Sequence, residues 1–158
     1  METDVNSACM LLTCYTAVGD AEGTLRTAQL ALSRAENALA HDPNNGAVTG
    51  YSAYALATLG EAERSKQRME RALLIDPDNL NMRYNFACAL SVHLKETKSA
   101  LDMLEPVLAK FGGGFIEHAK VDPDLDPLRK DPRFQAMIAA AEARLATADG
   151  DGTASPDS

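Results

Sequence analysis

The sequence predicts an all-α fold: a superhelix of three antiparallel helical hairpins followed by a C-terminal capping helix region. Three observations lead there. Aromatic residues make up only 5 % of the chain, Trp is absent and alanine is abundant. That composition suits close-packed helices better than a sheet rich in aromatic and β-branched residues. Apolar positions recur at helical spacing between short joints containing Gly or Pro. Finally, "ALAHDPNNG" (38–46) is echoed by "ALLIDPDNL" (72–80). Ala38 and Ala72, Leu39 and Leu73, Asp42 and Asp76, Pro43 and Pro77, and Asn45 and Asn79 each lie 34 positions apart.

Taken in order, helices are expected at about 3–18, 20–41, 45–59, 61–75, 79–94 and 97–111, with a short one near 114–120 and a last one at 131–147. The joints "VGD", "DPNNG", "TLGE", "DPDN", "LKET" and "FGGG" are short enough to make neighbouring helices antiparallel. Asp-Pro closes one hairpin because the residue before Pro is pushed out of the α region, whereas Pro itself suits a first helical turn. The Asn or Asp that follows can cap the next helix. A hairpin with small residues at its crossings cannot bury its apolar face alone, so the hairpins stack. The tail "DGDGTASPDS" holds no apolar residue large enough to anchor it, and residues 148–158 are expected to be disordered.

At 158 residues the chain is long enough for one domain with a real core. Its net charge of −8 argues against nucleic acid and anionic membrane as partners, since both need a basic footprint. Cys9, Cys14 and Cys88 are too few and scattered for a disulfide framework, and read as free thiols in a reducing compartment. The N-terminus lacks the basic region of a signal peptide and no apolar run is long enough to span a membrane, so the expected location is cytoplasmic.

The repeat resembles the tetratricopeptide (TPR) family. Gly46 to Asn79 carries the pattern best, with Gly60 at the hairpin turn, Ala72 in the second helix and Pro77 at the end. "YNFACAL" (84–90) looks like the family's first-helix core in a third repeat, followed by Ala100, Leu101 and Leu104, one residue out of phase after "LKET". The resemblance implies repeats at about 5–45, 46–79 and 80–111, with a cap at 112–147, all in one domain spanning 1–147. The family keeps a fixed spacing from turn glycine to closing proline, and Gly60 and Pro77 match it. Gly19 and Pro43 stand seven positions further apart than that pair. The excess is about two helical turns, which predicts a lengthened second helix with its packing face still in phase. The segment "FGGGFIEHAKVDPDLDPLRKDPRFQAMIAAAEARL" (111–145) is similar to the closing segment of repeat arrays in bacterial signalling proteins such as class III adenylate cyclases and receptor-like serine/threonine kinases. That similarity implies that "DPDLDPLRKDPRF" folds over the last hairpin while Phe134, Met137, Ile138 and Leu145 cover its apolar surface.

Catalytic and metal signatures are missing from the sequence. His41, His93 and His118 stand apart, and there is no His-Glu-x-x-His, Cys-x-x-Cys or phosphate loop. "FGGGF" lacks a following Lys-Ser/Thr and reads as a helix-ending turn. "DPDLD" (122–126) begins like a calcium loop, but Pro127 and Arg133 occupy the positions that demand Gly and Glu. No cofactor and no metal are expected.

A binding role follows from the resemblance. In TPR arrays the first helix of each hairpin lines a concave groove that grips an extended or helical peptide. By repeat position the groove would comprise Asn6, Cys9, Met10 and Thr13, then Ala47, Gly50, Tyr51 and Tyr54, then Asn81, Tyr84, Asn85 and Cys88. The tyrosines offer rings for packing and hydroxyls for hydrogen bonds, and the Asn85 amide both donates and accepts. Ordinary packing between helices is an equally good reading for Tyr51 and Tyr84. The clamp that chaperone-binding members use for a terminal carboxylate is absent: Cys9, Thr13 and Cys88 stand where charge would be needed, and Arg83 is expected to point away. The chain is therefore expected to be a non-catalytic protein–protein interaction module, with homo-oligomerisation through a helix face as the alternative.

Overall fold

The structure, a computed structural model, describes residues 4–150. It is all-α. Helices α1 (Val5–Ala17) and α2 (Ala21–His41), α3 (Gly46–Thr58) and α4 (Ala62–Ile75), and α5 (Leu80–Val92) and α6 (Thr97–Lys110) form successive antiparallel pairs. Helix α7 (Gly113–Val121), a 3₁₀ segment at Pro123–Leu128 and α8 (Pro132–Gly150) complete the chain.

Local chemistry sets the starts and stops. Asp4, Asp20, Asn45 and Asn79 each accept, through the side chain, the backbone N–H three positions on, which caps α1, α2, α3 and α5. At both Asp-Pro joints the capping amide also reaches back: Asn45 donates to Asp42 at 3.3 Å and Asn79 to Asp76 at 2.8 Å. Gly19 and Gly60 take φ of 72° and 77° to turn the first two hairpins, a region that costs glycine nothing.

The lengthening falls where the spacing put it. Helix α2 has 21 residues, against 14 in α4 and 14 in α6. Arg34 donates to the Asp4 carbonyl at 3.1 Å, and α2 continues well beyond it, from 35 to 41.

Alanines fill the crossings. Ala28, Ala31, Ala35, Ala53, Ala55, Ala57, Ala72, Ala87 and Ala89 are all buried, which lets neighbouring helices approach closely. The stack runs α2 on α3 and α3 on α5, while the 3₁₀ segment lies on α5 and α8 on α6. Ser65 ties α4 to α3 by donating to the Ala53 carbonyl at 2.8 Å. Arg133 bridges α8 to Asp102 and Glu105 of α6, each at 2.6 Å.

Two features differ from the sequence expectation. The stretch after α7 forms a 3₁₀ segment whose Leu125 and Leu128 are fully buried. Helix α8 runs on to Gly150, so the expected disordered tail overlaps it at 148–150, and the rest of that tail lies outside the described residues. Among the described residues, no helix is long and apolar enough to cross a membrane.

Candidate binding recess

Because hairpins stack in register, α1, α3 and α5 stand side by side and leave a concave recess of about 280 Å³ between them. Asn6, Cys9 and Met10 of α1 line it, with Ala47, Gly50, Tyr51 and Tyr54 of α3 and Asn81 and Asn85 of α5. Asn79, Met82 and Phe86 line it as well, and repeat position did not place them there. Their signal was hidden. Asn79 reads as a cap, and Met82 and Phe86 read as core until Gly50 is seen opposite them.

Gly50 opens the floor. A Cβ there would lie 3.0 Å from Met82 Sδ and 3.6 Å from Phe86 Cζ, so the missing side chain lets α5 approach. On one wall the Tyr51 hydroxyl donates to Asn6 Oδ1 at 3.0 Å and so links α3 to α1. Tyr54 stands further along α3, its ring edge-on to His93 with centroids 5.6 Å apart. Burial raises the Tyr54 hydroxyl pKa, aided by the charges of Asp124 and Asp122 beyond the recess. Within the described residues, neither the Asn81 nor the Asn85 side chain makes a hydrogen bond, and both are exposed.

Three expected groove residues lie elsewhere. Tyr84 is buried; its ring meets Phe115 edge-on at 4.8 Å and its hydroxyl donates to the Asp122 carboxylate. Cys88 is buried beside it, its thiol pKa raised by that burial and then by the Asp122 charge. Thr13 is exposed but turns its hydroxyl back to the Met10 carbonyl at 2.8 Å. The cause is positional: Tyr84 sits one repeat after Gly50, facing the next layer, which here is the cap. Arg83 does turn from the recess and donates to the Pro77 carbonyl.

Chemically the recess has an apolar floor and edges of amide and hydroxyl groups, the two in nearly equal measure. Its lining carries no charged side chain, and burial pushes the Cys9 thiol up to about 11, so it is not a thiolate at neutral pH. Among the described residues no group of three or more His, Cys, Asp or Glu is placed to hold a metal ion.

Residues 21–84 match the family model described as "Tetratricopeptide repeat". The match covers α2, the whole second hairpin and the start of α5. This stretch is thus similar to repeats that, in general, serve as protein–protein interaction modules. No curated protein matches the chain.

Proposed function

We propose that the chain is a protein–protein interaction module that takes a peptide segment of a partner into the recess between α1, α3 and α5. A large, uncharged apolar side chain of the ligand anchors among Met10, Tyr51, Tyr54, Met82 and Phe86, while Asn81 and Asn85 hold its backbone. The carrying observation is that unpartnered amides border an apolar floor whose lining has no charge. The recess lies at the small end of the roughly 300–1,000 Å³ of ligand pockets, a size that suits one anchoring side chain better than a whole small molecule. Affinity then rests on few contacts. Residues 1–147 act as one domain in this reading, with repeats at 5–45, 46–79 and 80–111 and the cap at 112–147. The likeness of residues 111–145 to array-closing segments supports a place in a bacterial signalling protein. The free thiols, with Cys14 exposed, suit a cytoplasmic setting.

Selection from a displayed random-peptide library tests this. Selected peptides are expected to share one large apolar residue free of flanking acidic groups. Their affinity should fall about tenfold or more, the loss expected on truncating an anchor, for Tyr51→Ala and for Asn85→Asp. Peptides that bind both folded variants as tightly as the wild type would move the site off the recess.

A further inference from the structure

Among the described residues, the first hairpin leaves open a face that the two following hairpins bury. The hairpin turns show the equivalence of α1 and α3. At the first turn Val18, Gly19 and Asp20 donate to Cys14, Thr16 and Tyr15, and at the second Leu59, Gly60 and Glu61 donate to Ala55, Ala57 and Leu56 in the same pattern. On the offset that superposes Gly19 on Gly60, Leu11 and Cys14 correspond to Ser52 and Ala55, and one repeat later to Phe86 and Ala89. Those four are fully buried or nearly so, at 0 %, 0 %, 1 % and 0 % exposure, whereas Leu11 is 45 % exposed and Cys14 is exposed.

Helix α2 shows the same thing. In α4, Arg64 and Arg71 reach back to the preceding hairpin, to Glu36 at 3.1 Å and the Pro43 carbonyl at 2.9 Å. Leu30 corresponds to Arg64 when the Asp-Pro joints are superposed and to Arg71 when the turn glycines are, so it lies on the same stripe of the helix in either register. It is 42 % exposed. Val18, at the turn, is 77 % exposed. The chain has therefore put leucine where the inner hairpin carries a backward-reaching arginine.

We propose that this face, centred on Leu11 and Leu30 and extended by Val18, is the interface of a two-fold symmetric homodimer in which α1 and α2 pack head to head on their copies. Charge favours a second copy. The molecule carries a net charge of −8, yet α1 has no charged residue from Val5 to Ala17 and in α2 the charges of Glu22 and Glu36 are balanced by Arg26 and Arg34, so two such faces meet without the net repulsion that the acidic surfaces bring. Symmetry points the same way. The opposite end of the stack is covered by the 3₁₀ segment on α5 and α8 on α6, so among the described residues no second repeat face is open to a head-to-tail neighbour. An isologous contact buries the face and closes. Its footprint, two helices of about 20 and 30 Å at ~10 Å width, is on the order of 500 Å² per copy, near the low end for specific pairs. The dimer is therefore expected to dissociate on dilution. Pairing α1 with its copy also sets the two recesses side by side on one concave surface, with Met10 of each at the junction.

Sedimentation velocity or light scattering on the full chain, from low micromolar to near-millimolar concentration, decides it. The mass is expected to rise from that of one chain to that of two. Leu11→Glu combined with Leu30→Glu should hold the mass at one chain throughout. Both leucines are exposed in the monomer, so circular dichroism should match the wild type. Asn85→Asp, on the recess, should dimerise normally, which separates this interface from the peptide site. A wild type that stays monomeric at the highest concentration overturns the proposal, as does a double glutamate variant that pairs as the wild type does.

Discussion

At Gly50 a Cβ would lie 3.0 Å from Met82 Sδ, and one repeat later Tyr84 fills the corresponding space with a ring against Phe115. The same repeat position thus takes the smallest residue where the next helix is close and a large one where the short cap must be reached. His93 gives a second case in which context decides. It closes α5, its ring meets Tyr54 edge-on, and its buried Nε2 has no hydrogen-bond partner. Burial holds its pKa below the ordinary 6.5. As the pH drops below about 6.5, the unfolded chain therefore binds a proton at this site that the folded chain does not, and stability falls until the folded pKa is reached. The slope from one such site is at most about 1.4 kcal/mol per pH unit. Urea unfolding at about pH 7.5 and about pH 5.5 should show this loss, and His93→Phe, which keeps a ring against Tyr54, should shrink it. An unchanged pH dependence in that variant would remove His93 as the source.

The hairpin turn is the element whose chemistry varies most along the stack. The first two turns place Gly19 and Gly60 at positive φ, whereas the third places Lys95 there at φ 56°. A side chain in that region costs about 1 kcal/mol or more. Lys95→Gly is expected to stabilise the protein by roughly 0.5–1 kcal/mol, after allowing for glycine's greater freedom in the unfolded chain. A urea midpoint that stays put or falls would show that the longer turn has relieved the strain by other means. The "LKET" joint already differed from "VGD" and "TLGE" in sequence, and such joints made the helices legible: glycines at positive φ and the Asp-Pro-x-Asn caps are local signals read one element at a time. The lengthening of α2 was legible for the same reason, because two whole turns leave the buried stripe in phase. The cap was harder to read. Leu125 and Leu128 are buried by α5 and its neighbours, contacts remote in sequence, and proline at both Pro123 and Pro127 conceals a 3₁₀ turn behind what reads as loop. Repeat position likewise placed Tyr84 and Cys88 on the groove because it assumes that another full repeat follows, and here the cap follows instead.

At the scale of the molecule, the third hairpin and the cap share one core. Ile116, Ala119, Leu125, Leu128 and Phe134 belong to the same buried cluster as Phe86, Leu90, Leu101 and Leu104. In a stack each layer is stabilised mainly by its neighbours, so the last layer is only as stable as what covers it. Fully burying a large apolar side chain contributes about 1.5–3 kcal/mol, so Ile116, Leu125, Leu128 and Phe134 together supply on the order of 8 kcal/mol, comparable to the roughly 5–15 kcal/mol that holds a whole domain folded. A chain ending at Lys110 should therefore lose more than its own share of helix. Circular dichroism should show the signal of α5 and α6 fall along with that of the removed segment, and urea unfolding should become broad. The Tyr84 hydroxyl would lose Asp122, and its ring would lose Phe115. Since Asn81, Asn85, Met82 and Phe86 are carried on α5, the recess should go with it, and peptides selected on the full chain should no longer bind. If the shortened chain unfolds in one sharp transition at the full chain's urea midpoint and keeps its peptides, α1 to α6 form a self-sufficient unit and the cap is a separate attachment.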